Sequence, residues 1–424
     1  MPALSVLKAR YFEGYVQYSA KLRGVSSTTQ NNIWKPFNAK FLQRLGGSDL
    51  MVFLLTALPG LVAVLTLIPS SLFLARSRSK KRVMKALFYT NRGLLLVIAV
   101  IPFLPESIRP LIFVLLVGFI NFPDGASQNA MQGYVGELFE ERERVEALSL
   151  RIKFSTFFTP FVTMLTGALL AHFENSGNEI LRVYQIIFVV AFLLGMVEIS
   201  VFSRFRDREM PADQNKEGGA EFCADTIKQI FKNRKFVKYI ILLFVFNFFW
   251  QSGGPLSSLY MLNVLHANEL WIAFFSIISG IVALFTAPFW NKLIFRIGNN
   301  RSLILLSLVM VFNLGLYLLA KDCYAMCAIQ LVNGLALMGS GVVIINGVYE
   351  VAPRDNNGLV YIGVYNTLYN ISMFVAPFFS YWILSHWNLT TAIVIVSLGR
   401  AFCFVLFLLT LGGEKKLIPG KAPY

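Results

Sequence analysis

The sequence predicts an all-α polytopic membrane protein, with twelve transmembrane helices in two six-helix bundles and both termini in the cytoplasm. Three observations carry this prediction: an apolar composition, apolar runs of membrane-spanning length, and an internal repeat. Of the 424 residues, 56% are hydrophobic and only 14% are charged, a balance typical of chains embedded in lipid. Because the backbone must satisfy its own hydrogen bonds within lipid, long apolar runs favour helices.

Eleven clear apolar spans recur along the chain, and each is long enough to cross a hydrocarbon core roughly 30 Å thick. They lie near residues 50–75, 84–104, 110–136, 154–172, 181–203, 238–262, 270–295, 302–320, 324–349, 359–385 and 390–412. A membrane barrel requires alternating strands of about ten residues instead, and the sequence lacks that pattern.

An internal repeat relates the two halves of the chain at an offset of 220 positions. Seven residue pairs are identical over 32 aligned positions, and Gly60 with Gly280 is one of them. Asp49 aligns with Glu269, and we interpret both as acidic helix caps that precede an apolar span and a basic turn. The repeat also predicts a twelfth helix at residues 22–44, which is too polar to be found from hydropathy alone.

The predicted orientation follows from the basic residues, which accumulate in cytoplasmic loops. With the N-terminus in the cytoplasm, thirty Lys and Arg residues fall on the cytoplasmic side and three on the outer side. We therefore predict an N-terminal half at 1–204, a cytoplasmic linker at 205–236 and a C-terminal half at 237–424. Within the linker, residues 225–238 suit either an amphipathic helix on an anionic leaflet or a plain solvated connection.

Several function classes are disfavoured by the same sequence. The net charge of +15 does not indicate nucleic-acid binding, because the basic residues are spread over short loops between apolar spans. Four cysteines are too scattered for a disulfide framework, and three histidines at separate helix ends predict no metal or catalytic cluster. Nucleotide-binding and hydrolase motifs are missing from the sequence. We expect no enzymatic activity, no cofactor and no bound metal.

The predicted architecture resembles the major facilitator superfamily in its six-plus-six helices, cytoplasmic ends and long central loop. That family carries a loop of the pattern G-x-x-x-D-R-x-G-R-K/R after helix 2 and again after helix 8. Here the first copy keeps Arg76 and a basic run, with Ala75 at the acidic position, and the second keeps Arg296 and Gly298. The resemblance implies gating loops at these residues and a central cavity lined by helices 1, 4, 7 and 10.

Polar residues in the first half of that implied cavity are candidates for substrate binding. Asp124 lies midway along helix 4 beside a proline, and a carboxylate at a broken helix suits proton or sodium coupling. Lys35 is at similar depth in helix 1, and we predict that it pairs with Asp124; its charge favours an anionic substrate. The alternative is that Lys35 only neutralises the acid. The other candidates here are amides: Asn31, Asn121 and Gln128.

The second half supplies neutral hydrogen-bonding and aromatic candidates, which suit sugars, nucleosides or aromatic metabolites. They are Asn247, Trp250, Gln251, Asn333 and Tyr365. The alternative role for each is helix packing, since amides bond across helix interfaces in membranes.

Charged residues elsewhere in the chain have structural interpretations. Arg92 is expected to extend to the inner membrane surface, and Glu198 and Arg400 are expected to form structural pairs. Residues 137–151 are expected to form a mixed-charge cytoplasmic loop.

The hypothesis that best joins these observations is a secondary transporter, monomeric, in the bacterial inner membrane. It would move a small solute by alternating access, with protons or sodium as partners. The alternative is a non-transporting protein of the same fold that acts as a receptor or assembly partner.

Overall fold

The computed structural model describes the backbone of residues 31–76, 80–138, 141–203, 232–351 and 358–412. The regular structure in these ranges is helical. The elements are α1 (Asn38–Arg44, preceded by the 3-10 turn Lys35–Phe37), α2 (Asp49–Arg76), α3 (Lys80–Val100, continued by the 3-10 turn Ile101–Phe103), α4 (Arg109–Leu138), α5 (Glu141–His172), α6 (Asn178–Ser203), α7 (Arg234–Leu259, continued by the π turn Tyr260–Val264), α8 (Glu269–Ile297), α9 (Asn299–Gly315, continued by the 3-10 turn Leu316–Leu319), α10 (Cys323–Gly339, the π turn Ser340–Ile344 and Ile345–Val351), α11 (Gly358–His386) and α12 (Leu389–Leu411).

The all-helical membrane architecture is confirmed. Ten helices in the described part of the chain are long and apolar enough to cross a membrane, and Phe157–His172 adds a shorter apolar stretch. The first predicted span, 22–44, is described only from residue 31 onward. The count of twelve transmembrane helices and the cytoplasmic location of both ends therefore stay predictions, and the first half of the predicted linker helix at 225–238 lies outside the described residues.

One predicted loop is wrong. Residues 137–151 were expected to form a charged loop, but α5 already begins at Glu141 and continues without interruption to His172. Hydropathy marks where a helix leaves the lipid, whereas helix length depends on backbone propensity. The segment after Glu141 is rich in Glu, Arg, Ala and Leu, which are strong helix formers in water.

The described chain forms two compact units that are not contiguous in sequence. Among the described residues, the first comprises 31–51, 65–76, 80–138, 141–203 and 268–273, and the second comprises 52–64, 232–267, 274–351 and 358–412. The middle of α2 therefore belongs to the second unit, and the start of α8 belongs to the first. The predicted division into halves at 205–236 stays a prediction.

Aromatic packing forms the centre of the first unit. The Phe41 ring of α1 lies 4.5 Å from the Tyr184 ring, 5.0 Å from the Phe113 ring and 5.3 Å from the Phe188 ring, measured between centroids. These rings are buried, and they connect α1 with α4 and α6. Burial of such large apolar side chains holds the short α1 in place, although its sequence is polar elsewhere.

The second unit has its own core built from α7 to α12, with Leu243, Trp290 and Phe407 among its buried members. The middle of α2 packs in this unit against α11 through Gly60. A Cβ at Gly60 would lie 2.7 Å from the Asn370 carbonyl oxygen, so only glycine allows this approach. Its repeat partner Gly280 has open space at the same position.

Candidate functional site

The predicted pair in the first unit is present. Lys35 Nζ lies 3.5 Å from Asp124 Oδ2, and the two side chains are 41% and 28% exposed. Lys35 opens the 3-10 turn before α1, while Asp124 follows Pro123 inside α4. The pair joins two segments far apart in sequence, and both groups remain accessible to small ions.

The candidate amides of the first unit have different environments. Asn121 donates to the Val117 carbonyl of its own helix at 2.8 Å, and Asn31 is half-buried at the start of the described chain. The side chain of Gln128 lies outside the described residues. The structure therefore brings Lys35 and Asp124 together, and it gives Asn121 an intrahelical partner.

A second polar cluster in the first unit was missed by the sequence analysis. Glu269, the first residue of α8, is 0% exposed. Its carboxylate accepts hydrogen bonds from Arg44 Nε at 3.2 Å, Arg44 Nη2 at 3.3 Å and the Tyr184 hydroxyl at 3.1 Å. The two bonds from one guanidinium form the bidentate geometry that makes arginine–carboxylate pairs strong.

Further groups complete this cluster. Glu174 lies 3.8 Å from Arg44 through its carboxylate, and its backbone carbonyl accepts a bond from Arg44 Nη1 at 3.2 Å. The Asn268 amide donates to the other oxygen of Glu174 at 2.9 Å. Lys40 is buried, and its ammonium group interacts electrostatically with the Glu269 carboxylate. Two cations therefore balance two carboxylates.

The predicted helix cap is corrected by this cluster. Asn268, and not Glu269, caps α8, because its side-chain oxygen accepts the backbone N–H of Trp271 at 3.1 Å. Glu269 faces Arg44 instead. The alignment of Asp49 with Glu269 carried the only sequence signal for an important acid here, but it did not indicate the partner.

The expectation for Arg92 is also wrong. Its guanidinium is buried and donates to Glu198 at 2.6 Å, so it does not extend to the membrane surface. A buried charge is costly unless it is paired, and the pair joins α3 to α6. The structural pairing expected for Glu198 is confirmed.

Arg400 in α12 is surrounded by neutral oxygens in the second unit. Its Nε donates to the Phe249 carbonyl at 3.1 Å and its Nη2 to the Trp250 carbonyl at 3.1 Å. Its Nη1 donates to the Met310 carbonyl at 3.2 Å and to Asn313 Oδ1 at 3.3 Å. Arg400 therefore has the expected structural role. Its partners are backbone carbonyl groups of α7 and α9, including that of Trp250, and the Asn313 side chain.

A chain of amides continues from this guanidinium. Asn313 donates to Asn333 at 3.2 Å, Asn333 donates to Gln330 at 2.9 Å, and Gln330 donates to the Tyr317 hydroxyl at 3.3 Å. For Asn333, these bonds favour the packing alternative over direct contact with a substrate.

The other candidates of the second unit are unevenly exposed. Asn247 and Tyr365 are buried and interact with each other. Trp250 and Gln251 are half-buried one turn before Pro255. Two residues of the predicted gating loop lie at the junction of α8 and α9. Arg296 is exposed, and Gly298 adopts a φ of 87°, which favours glycine. The side chain of Arg76 lies outside the described residues.

The comparison with known families decides the classification. The family model described as Major Facilitator Superfamily matches residues 24–361. The chain belongs to the major facilitator superfamily. No curated protein matches it in sequence. As a superfamily member it is a multi-pass integral membrane protein, and membership supports a membrane transporter rather than an enzyme.

Solved structures of other transporters share the superfamily fold. A mutant of the nucleoside transporter NupG superposes with a TM-score of 0.74 at 11% identity, covering 93% of this chain and 99% of that one. A D-xylose-proton symporter gives 0.66 at 14% identity, covering 96% and 99%. A POT family transporter in complex with a thioalcohol-conjugated peptide gives 0.67 at 12% identity, covering 94% and 96%. At these identities the likeness concerns the fold alone.

Proposed function

We propose that the chain is a secondary active transporter of the cytoplasmic (bacterial inner) membrane that moves a small neutral solute by alternating access. The observation that carries this proposal is the ion pair between Lys35 and Asp124. An ionisable pair in a membrane helix is costly and usually marks an ion or substrate pathway. A partly exposed carboxylate can take up and release a proton, which makes Asp124 the proposed coupling site.

The pair also narrows the class of solute that we propose. Lys35 alone would favour an anion, but Asp124 offsets its charge at 3.5 Å. In the first unit, the remaining half-buried groups that we propose to contact the solute are neutral, namely Asn31 and Asn121. Hydroxylated solutes such as nucleosides and sugars suit these groups. The nucleoside transporter and the xylose-proton symporter that share the fold support testing those two classes first.

Uptake by proteoliposomes tests this proposal. The full chain would be reconstituted and offered a mixture of nucleosides and sugars under an imposed proton or sodium gradient, with the accumulated solute identified by mass spectrometry. We expect gradient-dependent accumulation by the wild type. Asp124→Asn should abolish accumulation but keep solute exchange at equilibrium, because the amide cannot carry the coupling proton while the binding groups remain.

The controls separate coupling from folding. Glu106→Gln removes an acid whose side chain is 88% exposed, and it should transport like the wild type. If Lys35 and Asp124 act together, the double variant Lys35→Gln with Asp124→Asn should lose less of the equilibrium solute exchange than the two single losses combined. Lack of uptake of every solute under both gradients would contradict the proposal and favour the non-transporting alternative.

A further inference from the structure

A groove in the second unit lies along the first turns of α7. None of the candidate transport residues lines it. It has a volume of about 400 Å³ and is bordered by Arg234, Val237, Lys238, Ile241 and Leu242. These positions are three or four residues apart, so they share one face of the helix. The basic members are Arg234 and Lys238, with Val237 between them. Ile241 and Leu242 lie about one turn beyond Lys238.

The two ends of this groove differ in chemistry. Arg234 and Lys238 are exposed at its rim, and Lys238 Nζ donates to the Thr410 carbonyl of α12 at 3.2 Å. Deeper along the face, Ile241 is 56% exposed while Leu242 is buried. A ligand that fills the groove therefore needs an anionic group at one end and an apolar chain at the other.

The surrounding surface is basic as well. Tyr239 of α7 contacts Asn299 at the start of α9, so the end of α8 and the start of α9 lie at the same end of the unit as the groove. Further exposed Lys and Arg side chains at this end are Lys232, Lys235, Lys292, Arg296 and Arg301. The groove opens where the second unit is most positively charged among the described residues.

We propose that this groove is a binding site for an anionic phospholipid of the membrane leaflet that faces this basic end. Arg234 and Lys238 hold the lipid phosphate, and one acyl chain lies along Val237 and Ile241. A free phosphate would satisfy the two cations but would leave the apolar face uncovered. Anionic lipid headgroups attract basic residues at the membrane surface, and the acyl chain supplies the apolar contact. This inference rests on the membrane fold and not on the transport of any solute.

Lipid titration of the purified full chain tests the site. In neutral detergent, dioleoyl phosphatidylglycerol should bind saturably in native mass spectrometry, and dioleoyl phosphatidylcholine should bind about 30-fold more weakly, as expected from two interfacial charges. The double variant Arg234→Gln with Lys238→Gln should lose this preference. Arg234→Lys with Lys238→Arg should keep it, because both charges remain.

A matched control removes two exposed charges elsewhere at the same end. Lys292→Gln with Arg301→Gln changes the net charge equally but leaves the groove unaltered, and it should keep the wild-type preference. An equal loss of the phosphatidylglycerol preference in the control and in the groove variant would overturn the proposal. The lipid would then be attracted by the overall positive charge of this end and not by the groove. Displacement of the lipid by millimolar glycerol phosphate would overturn it in favour of a free-phosphate site. If the Gln variant does not fold, Ile241→Glu provides the second test and should weaken phosphatidylglycerol binding.

Discussion

At Glu269, a fully buried carboxylate accepts hydrogen bonds from Arg44 and Tyr184. The sequence identified the residue through its alignment with Asp49 but could not identify its partners, because Arg44 is 225 positions away. The Lys35–Asp124 pair was predictable, since both charges lie in the middle of predicted spans and few other charged residues at that depth could serve as partners. Sequence position indicates how deep a charge lies in the membrane, whereas its partner depends on which helix faces meet.

Replacement of Glu269 should measure the strength of this cluster. Glu269→Gln keeps the shape of the side chain but leaves Arg44 without its main counter-charge, and removal of one partner from a buried pair costs about 3–5 kcal/mol. Because Arg44 also lies near Glu174, we expect about 3 kcal/mol. The free energy of unfolding in detergent, followed by tryptophan fluorescence, would check this. Glu106→Gln is the control, and an equal effect of both variants would contradict the assigned role.

At the scale of single elements, apolar span positions were well predicted and their continuations were not. Helix α5 extends into a segment rich in charges, and α7 and α10 each contain a π turn. Hydropathy averages over a window of lipid-facing residues, so it cannot detect where a helix widens or continues into water. The role of Arg400 in holding carbonyl groups of α7 was likewise not predictable, because backbone acceptors leave no pattern in the sequence.

Two neighbouring glycines of α7 provide a matched test of the Arg400 contacts. A Cβ on Gly253 would overlap the Arg400 guanidinium, whereas a Cβ on Gly254 would meet open space. Alanine in a helix interior is about 0.5–1 kcal/mol more favourable than glycine. We therefore expect Gly254→Ala to raise the Tm slightly and Gly253→Ala to lower it, because the guanidinium is held by four hydrogen bonds and cannot move without loss. Thermal unfolding of the purified variants would check the sign, and equal shifts would argue against the overlap.

At the scale of the whole molecule, the resemblance in helix arrangement and in the loops at Arg76 and Arg296 predicted the family, and the family model agrees over residues 24–361. The repeat relates positions in the two halves but not their environments. Gly60 meets the backbone of α11, whereas Gly280 has open space. A repeat in sequence therefore does not guarantee equal contacts, and this limits what a repeat can predict about a site.

The predicted orientation leads to a labelling experiment. In a background without native cysteines, Glu106→Cys should react with a membrane-impermeant maleimide in right-side-out vesicles, because the α3–α4 connection is predicted to face outward. Lys235→Cys should react only after the membrane is permeabilised. Both side chains are exposed, so access to the reagent, not burial, decides the result. The reverse pattern would place the basic end of the chain outside.

The placement of residues 268–273 in the first compact unit has a consequence for biosynthesis. While the ribosome is still making the linker, Arg44 and Tyr184 have already been synthesised, but Glu269 has not. Until α8 is synthesised, Arg44 of α1 and Tyr184 of α6 therefore lack their hydrogen bonds to Glu269, and Glu174 is the carboxylate of this cluster already present. A nascent chain of about 215 residues therefore lacks residues 268–273 of the first unit. That unit is completed only during synthesis of the second half.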